Sequence, residues 1–209
     1  RSTQSRSSAA SDVYKRQLLR DKVSRLWIGT RRGGINIINR DKQKFVTVSH
    51  EPGNPNSLSG NFITSVCEMN NGNLLIATEN NGLDILDKNT NKFTHYQYDP
   101  KDLSSISSNN VNGISLDYLK NVWVATYTDG VCRFNPQTHK FKRYKTVNTK
   151  TGVENKVFNT FYEDGDKTLW ASALRTGNYL GALYRYNRQK DVFEPVSYTH
   201  LTLPTIYSV

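Results

Sequence analysis

The sequence predicts an all-β protein assembled from repeated four-stranded antiparallel units. Three observations carry this. The chain repeats itself at a period of 48 residues, each unit divides into four strand-length runs separated by turn residues, and no segment has the apolar spacing of an amphipathic helix.

The period is tight. LWIGTRRGGINII at residues 26–38 returns as LLIATENNGLDIL and again as VWVATYTDGVCRF, so Leu26, Leu74 and Val122 stand 48 residues apart, as do Thr30, Thr78 and Thr126, and Phe45, Phe93 and Phe141. A fourth copy starts at Leu169 and Trp170, 47 residues further on, and closes with Phe193 after an insertion in RTGNYLGALYRY. The linkers EPGNPNSLSGN and DPKDLSSISSNN align in the same register. A glycine-rich phosphate loop does not come in triplicate, so RRGG is a turn and not a nucleotide site.

Within residues 62–98 the runs FITSVCEM, LLIAT, LDILD and FTHYQY alternate with NNGN, ENNG and KNTNK. The runs are rich in β-branched and aromatic residues, and the Asn-Gly and Asn/Lys turns suit hairpins that need positive φ. Each unit is therefore a meander. Units of this length that bury their faces only against their neighbours predict a β-propeller, here a fragment of about four blades in an open arc, at residues 18–50, 61–98, 109–146 and 156–196.

Composition narrows the function. The 209 residues are 36% hydrophobic and 11% aromatic, enough for a substantial core. No window approaches the apolar length that spans a bilayer, and the start RSTQSRSSAA lacks the apolar stretch of a secretory signal. The net charge of +10 would suit nucleic acid, but Arg1, Arg6, Lys15 and Arg16 against Asp12 place part of it in the first 17 residues. SSAASDVYKRQ and SYTHLTLPT resemble translated adapter sequence, so residues 1–17 and 197–209 are expected to be foreign to the domain. The moderately basic remainder gives no reason to expect a nucleic-acid partner. Cys67 and Cys132 lack zinc or redox-motif spacing and read as small hydrophobes on strands of neighbouring repeats.

In such a meander the turn between the second and third strands emerges at the same end as the linker to the next unit. That end collects RRGG (31–34), ENNG (79–82), YTDG (127–130) and RTGNYLG (175–181), and loops on a rigid scaffold are where recognition residues concentrate. The candidate ligand-binding residues are Arg31, Arg32, Asn80, Tyr127, Asp129, Arg175 and Tyr179. Planar polar groups and aromatic faces suit hydroxyl-rich ligands, and the arginines suit a carboxylate or sulfate. The competing reading is structural. Gly34, Gly82 and Gly130 recur where the backbone turns, Asn80, Asn81 and Asp129 are turn formers, and Trp27, Trp123 and Trp170 occupy one repeat position suited to packing between blades.

No catalytic residue, metal or cofactor is expected. His50, His95, His139 and His200 show no ligand spacing, and no serine is framed as a nucleophile elbow. Glu163, Asp164 and Asp166 form an acidic cluster at a turn, without the pattern of a calcium loop.

The motif LWIGT…GGI…F, joined by NSLS-type linkers over residues 18–196, resembles the two-component regulator propeller repeats of the periplasmic sensor half of bacterial hybrid two-component systems. The Gly-His and Trp-Asp signatures of WD40 blades are absent. The resemblance implies a periplasmic ligand-sensing propeller that responds to oligosaccharides. It further implies a dimeric parent with more blades, a β-sandwich, a membrane helix, a histidine kinase and a DNA-binding output. Two alternatives stay open on the residues alone: a piece of a propeller-fold polysaccharide lyase or glycosidase, and a protein-interaction scaffold.

Overall fold

The computed structural model describes residues 15–39, 44–148, 152–174 and 181–196. They form sixteen strands in four separate sheets, each antiparallel and each in chain order. The first blade is β1 (Lys15–Arg20), β2 (Leu26–Thr30), β3 (Ile35–Asn39) and β4 (Lys44–Val48), and the second is β5 (Ile63–Glu68), β6 (Leu74–Thr78), β7 (Gly82–Asp87) and β8 (Lys92–Tyr96). The third comprises β9 (Val111–Leu116), β10 (Val122–Thr126), β11 (Val131–Asn135) and β12 (Lys140–Tyr144). The fourth comprises β13 (Phe158–Glu163), β14 (Leu169–Ala173), β15 (Ala182–Asn187) and β16 (Val192–Pro195). The first strands β1, β5, β9 and β13 pack on one another in turn, which makes the sheets the blades of an unclosed propeller. No helix among the described residues is long and apolar enough to cross a membrane.

The repeat positions behave as the register requires. Trp27, Leu75, Trp123 and Trp170 each stand second in the second strand of a blade, and Phe45, Phe93, Phe141 and Phe193 each stand second in the fourth. One boundary differs from the sequence reading. The first blade begins at Lys15, so it takes three residues from the stretch expected to be foreign; Lys15 pairs with Thr30, Gln17 pairs with Gly29, and the Gln17 Oε1 accepts the Val66 N–H. Ladder pairing is made by backbone groups that any residue supplies, so composition did not mark this edge. Residues 1–14 and 197–209 lie outside the described part.

The core is not one mass but three layers, one in each junction between blades. Leu74 and Ile76 face the first blade with Trp27, Ile35 and Leu58, while Leu75 and Ala77 face the third with Val122, Val124 and Phe134. Alternation along one strand thus serves two junctions, which is why every residue of LLIAT and VWVAT is buried. The last junction is aromatic: Trp123 meets Tyr186 edge-on at 4.6 Å between ring centroids and Phe193 at 5.4 Å. Each first strand also carries a register shift near its start, and in the second and third blades the extra residue reaches across to the next blade. Thr64 Oγ1 donates to Val111 O at 2.6 Å, and Asn112 Nδ2 donates to Phe158 O at 2.7 Å.

Candidate functional site

The turns between second and third strands are built alike. Thr30, Thr78 and Thr126 each donate their hydroxyl to the carbonyl of Gly34, Gly82 or Gly130, at 2.8, 2.9 and 2.9 Å. Those glycines in turn donate their N–H to the linker carbonyls of Asn61, Asn109 and Lys156. Turn and linker therefore meet at one end of the arc, as the meander geometry requires. The glycines hold φ of 67°, 83° and 79°, and at Gly34 and Gly82 a Cβ would stand 2.2 Å from a carbonyl oxygen of the neighbouring strand.

This scaffold turns the intervening residues out to solvent. Arg31 and Arg32 are exposed, and the Arg32 guanidinium lies 5.7 Å from the Phe62 ring centroid. Asn80 is exposed at φ 74°, and its Oδ1 accepts from Asn110 Nδ2 at 3.3 Å. Tyr127 is 45% exposed, with its N–H on Asn110 O at 2.9 Å. Asn110 thus brings Asn80 and Tyr127 together across the junction of the second and third blades. Asp129 pairs with Lys156 at 3.4 Å, a surface contact that also secures the following linker. Arg175 and Tyr179 lie outside the described residues.

The opposite end carries chemistry that the sequence reading missed. Trp27, Trp123 and Trp170 do more than pack: each indole N–H donates to the aspartate six residues earlier, Asp21, Asp117 and Asp164, at 2.9, 3.0 and 2.7 Å. Asp164 also accepts from the backbone of Asp166 and Thr168, so the central aspartate of the acidic cluster EDGD is spent on its own turn. Two of these aspartates receive a cation from the next blade. Lys88 Nζ reaches Asp21 at 3.4 Å and Glu68 at 2.7 Å, and Arg188 reaches Asp117 at 2.8 Å and Glu163 at 3.1 Å. Burial alone would push the Asp21 carboxyl up, but donors from Trp27 and Arg25 hold it at about 2. Burial likewise opposes charge on Asp117, and the Arg188, Asn121 and Trp123 donors hold it below the usual range.

Between the second and third blades this tie is gone. The repeat positions of Asp21, Trp27, Glu68 and Lys88 are occupied there by Met69, Leu75, Leu116 and Pro136. All four members change together, which was the available signal in the sequence; only the fold shows that they are neighbours. At this seam the structure has a cavity of about 530 Å³ lined by residues of 69–71, 116–122 and 133–137. A shallower cavity of about 350 Å³ lies beside Tyr118, Lys167 and Arg188. None of the described candidate turn residues, Arg31, Arg32, Asn80, Tyr127 and Asp129, lines either one. Cys67 and Cys132 are free thiols, and burial raises both above the usual range, Cys67 to about 11.

No protein-family model and no curated protein matches this chain. Solved structures do. An extracellular domain described as that of a hybrid two-component system from B. thetaiotaomicron superposes with a TM-score of 0.67 at 23% identity, covering 90% of this chain and 25% of that one. A second such domain from the same organism gives 0.61 at 20% identity, covering 87% and 29%. A virginiamycin B lyase from Staphylococcus aureus gives 0.64 at 17% identity, covering 95% and 58%. At these identities the likeness shows the fold, which is the propeller type of those sensor domains. The chain spans about a quarter of the length of the two sensor domains.

Proposed function

We propose that the chain is the ligand-sensing, extracytoplasmic part of a membrane-bound hybrid two-component sensor, and that it responds to oligosaccharides. The observation that carries the reading is the row of turn tips. Arg31, Arg32, Asn80, Tyr127 and Asp129 stand at one end, each on a turn fixed by a Thr–Gly bond and by a bond to the next linker. A rigid frame with exposed Arg, Tyr and amide groups suits hydroxyls together with an occasional acidic group. The likeness to extracellular sensor domains supports a position outside the cytoplasm. On this reading Arg175 and Tyr179, from the matching stretch of the fourth repeat, join the ligand-binding set, and the partners are further blades and domains of a dimeric parent. Titrating a uronic-acid oligosaccharide against the protein and its Arg31→Ala/Arg32→Ala variant tests it. Affinity should fall several-fold with an unchanged melting temperature, and equal affinity would remove both arginines from the site.

A second reading is a piece of a propeller-fold polysaccharide lyase or glycosidase; the likeness to the virginiamycin B lyase supports the shared fold and not the substrate. Turnover of an oligosaccharide, followed by chromatography of the products, separates it from the first.

A further inference from the structure

We propose that the seam between the second and third blades is a binding site for a small, neutral, polyhydroxylated ring of monosaccharide or disaccharide size. It lies at the opposite end from the turn row and does not depend on that row being a sensor surface.

The site follows from what the other junctions do with the same space. There, a lysine or arginine from the third-to-fourth-strand turn crosses to two carboxylates and fills the gap. Here the crossing residue is Pro136, too short to reach, and Met69 and Leu116 offer it nothing to pair with. The space is left as a cavity of about 530 Å³, within the roughly 300–1,000 Å³ range of small-molecule sites.

Its lining is mainly of two kinds, apolar and amide; of the two cations among its described residues, Arg133 turns its guanidinium to Tyr186, Asp191 and the Trp123 ring at the next junction, and Lys120 is exposed. Met69, Val122 and Phe134 are almost fully buried and, with Pro136, make an apolar floor. Around it stand Asn70, Asn71, Asn121, Asn135 and Gln137. Asn71 Oδ1 is taken by Asn73 N–H, and Asn135 Oδ1 by Gln137 and Thr138, so each of these can present its NH₂ as a donor. Asn121 spends its NH₂ on Asp117, so its carbonyl oxygen is the group it can present as an acceptor. A rim of mixed amide donors and acceptors matches hydroxyls, which both donate and accept, and the apolar floor matches the C–H face of a sugar ring. None of the described lining residues is a carboxylate, so nothing recommends a cation.

The test uses the whole chain, isotopically labelled, with phenyl β-D-glucopyranoside as the neutral probe, choline as the cationic one and capric acid, ionised at neutral pH, as the apolar and anionic one. Saturable shifts of the 69–71, 116–122 and 133–137 amide resonances with the glucoside, and not with choline or capric acid, are expected. Gln137→Trp and Asn71→Trp plug the rim from opposite walls at exposed positions, and each should weaken the glucoside at least ten-fold. The readout is residue-specific, so shifts at the seam are counted apart from any at the 31–34, 79–82 and 127–130 turns, which separates this site from the turn row. The proposal is overturned by any of three results: no saturable shift with the glucoside, stronger binding of choline or capric acid, or plugged variants that bind like the parent.

Discussion

Replacing Asp117 with alanine probes the lock between the third and fourth blades. The Asp117 carboxylate is buried and accepts from the Asn121 backbone and amide, from Trp123 Nε1 at 3.0 Å and from Arg188 at 2.8 Å. Its loss leaves the indole N–H of a fully buried tryptophan without that acceptor, at a cost of about 1–3 kcal/mol. Removing one member of a buried ion pair costs about 3–5 kcal/mol. Arg188 keeps Glu163 at 3.1 Å and its side chain is 24% exposed, so its own penalty is small. The two effects overlap, and the expected total is about 3 kcal/mol, or a fall in Tm of about 6–12 °C for a chain of this size. Thermal unfolding followed by circular dichroism, on Asp117→Ala, Arg188→Ala and the double variant, gives both the total and the coupling. The coupling should lie between about 0.5 and 3 kcal/mol. A fall in Tm below about 2 °C, or strict additivity, would refute the account of the tie.

The second blade should titrate. His95 donates from Nδ1 to the buried Asp84 at 2.7 Å and from Nε2 to Pro55 O at 2.9 Å, while Ser59 fills the other carboxylate oxygen. Two acceptors on one ring require the imidazolium. Burial opposes that charge, but the Asp84 and Pro55 bonds and the Asp84 charge outweigh it and raise His95 above its ordinary value; burial pushes the Asp84 carboxyl up against the downward pull of its donors. A raised histidine adds stability that is complete below its unfolded value, about 6.5, and is lost as pH rises through the folded one. Melting at pH 5.5 and pH 8.5 should show that fall, and Asp84→Asn/His95→Thr, which installs the Asn36–Thr47 pair of the first blade, should abolish it. A parent Tm equal at both pH values would count against the imidazolium. Gly82→Ala, at φ 83° and with a Cβ 2.2 Å from Tyr96 O, should cost more than about 1 kcal/mol in a denaturant titration, and a neutral result would contradict the turn geometry. Leu18 and Tyr162, 61% and 67% exposed on the outer faces of the first and fourth blades, should drive self-association of residues 15–196. A single monomer mass in light scattering at high concentration would show that the open faces tolerate water.

The sequence by itself determined the blades. Strand alternation and a fixed period are local properties, so the positions of Trp27, Leu75, Trp123 and Trp170, and the meeting of turn and linker at one end, could be read before any fold was known. The recurring glycines announced their turns for the same reason: positive φ is a demand on one residue. The described candidates Arg31, Arg32, Asn80, Tyr127 and Asp129 were legible as exposed tips, but Asn80 and Asp129 prove to hold neighbouring linkers as well, through Asn110 and Lys156. Only the tertiary structure decided how the blades are joined. Lys88 meets Asp21 and Arg188 meets Asp117 across two different sheets, and no period of one unit says that the third-to-fourth-strand turn of one blade faces the first-to-second-strand turn of the blade before it. Substituting Met69, Leu75, Leu116 and Pro136 into that pattern reads along the chain as four unrelated changes. In space they are one change, the exchange of an ionic tie for an apolar gap, because pairing and cavity volume are set by which surfaces touch and not by the order in which residues are strung.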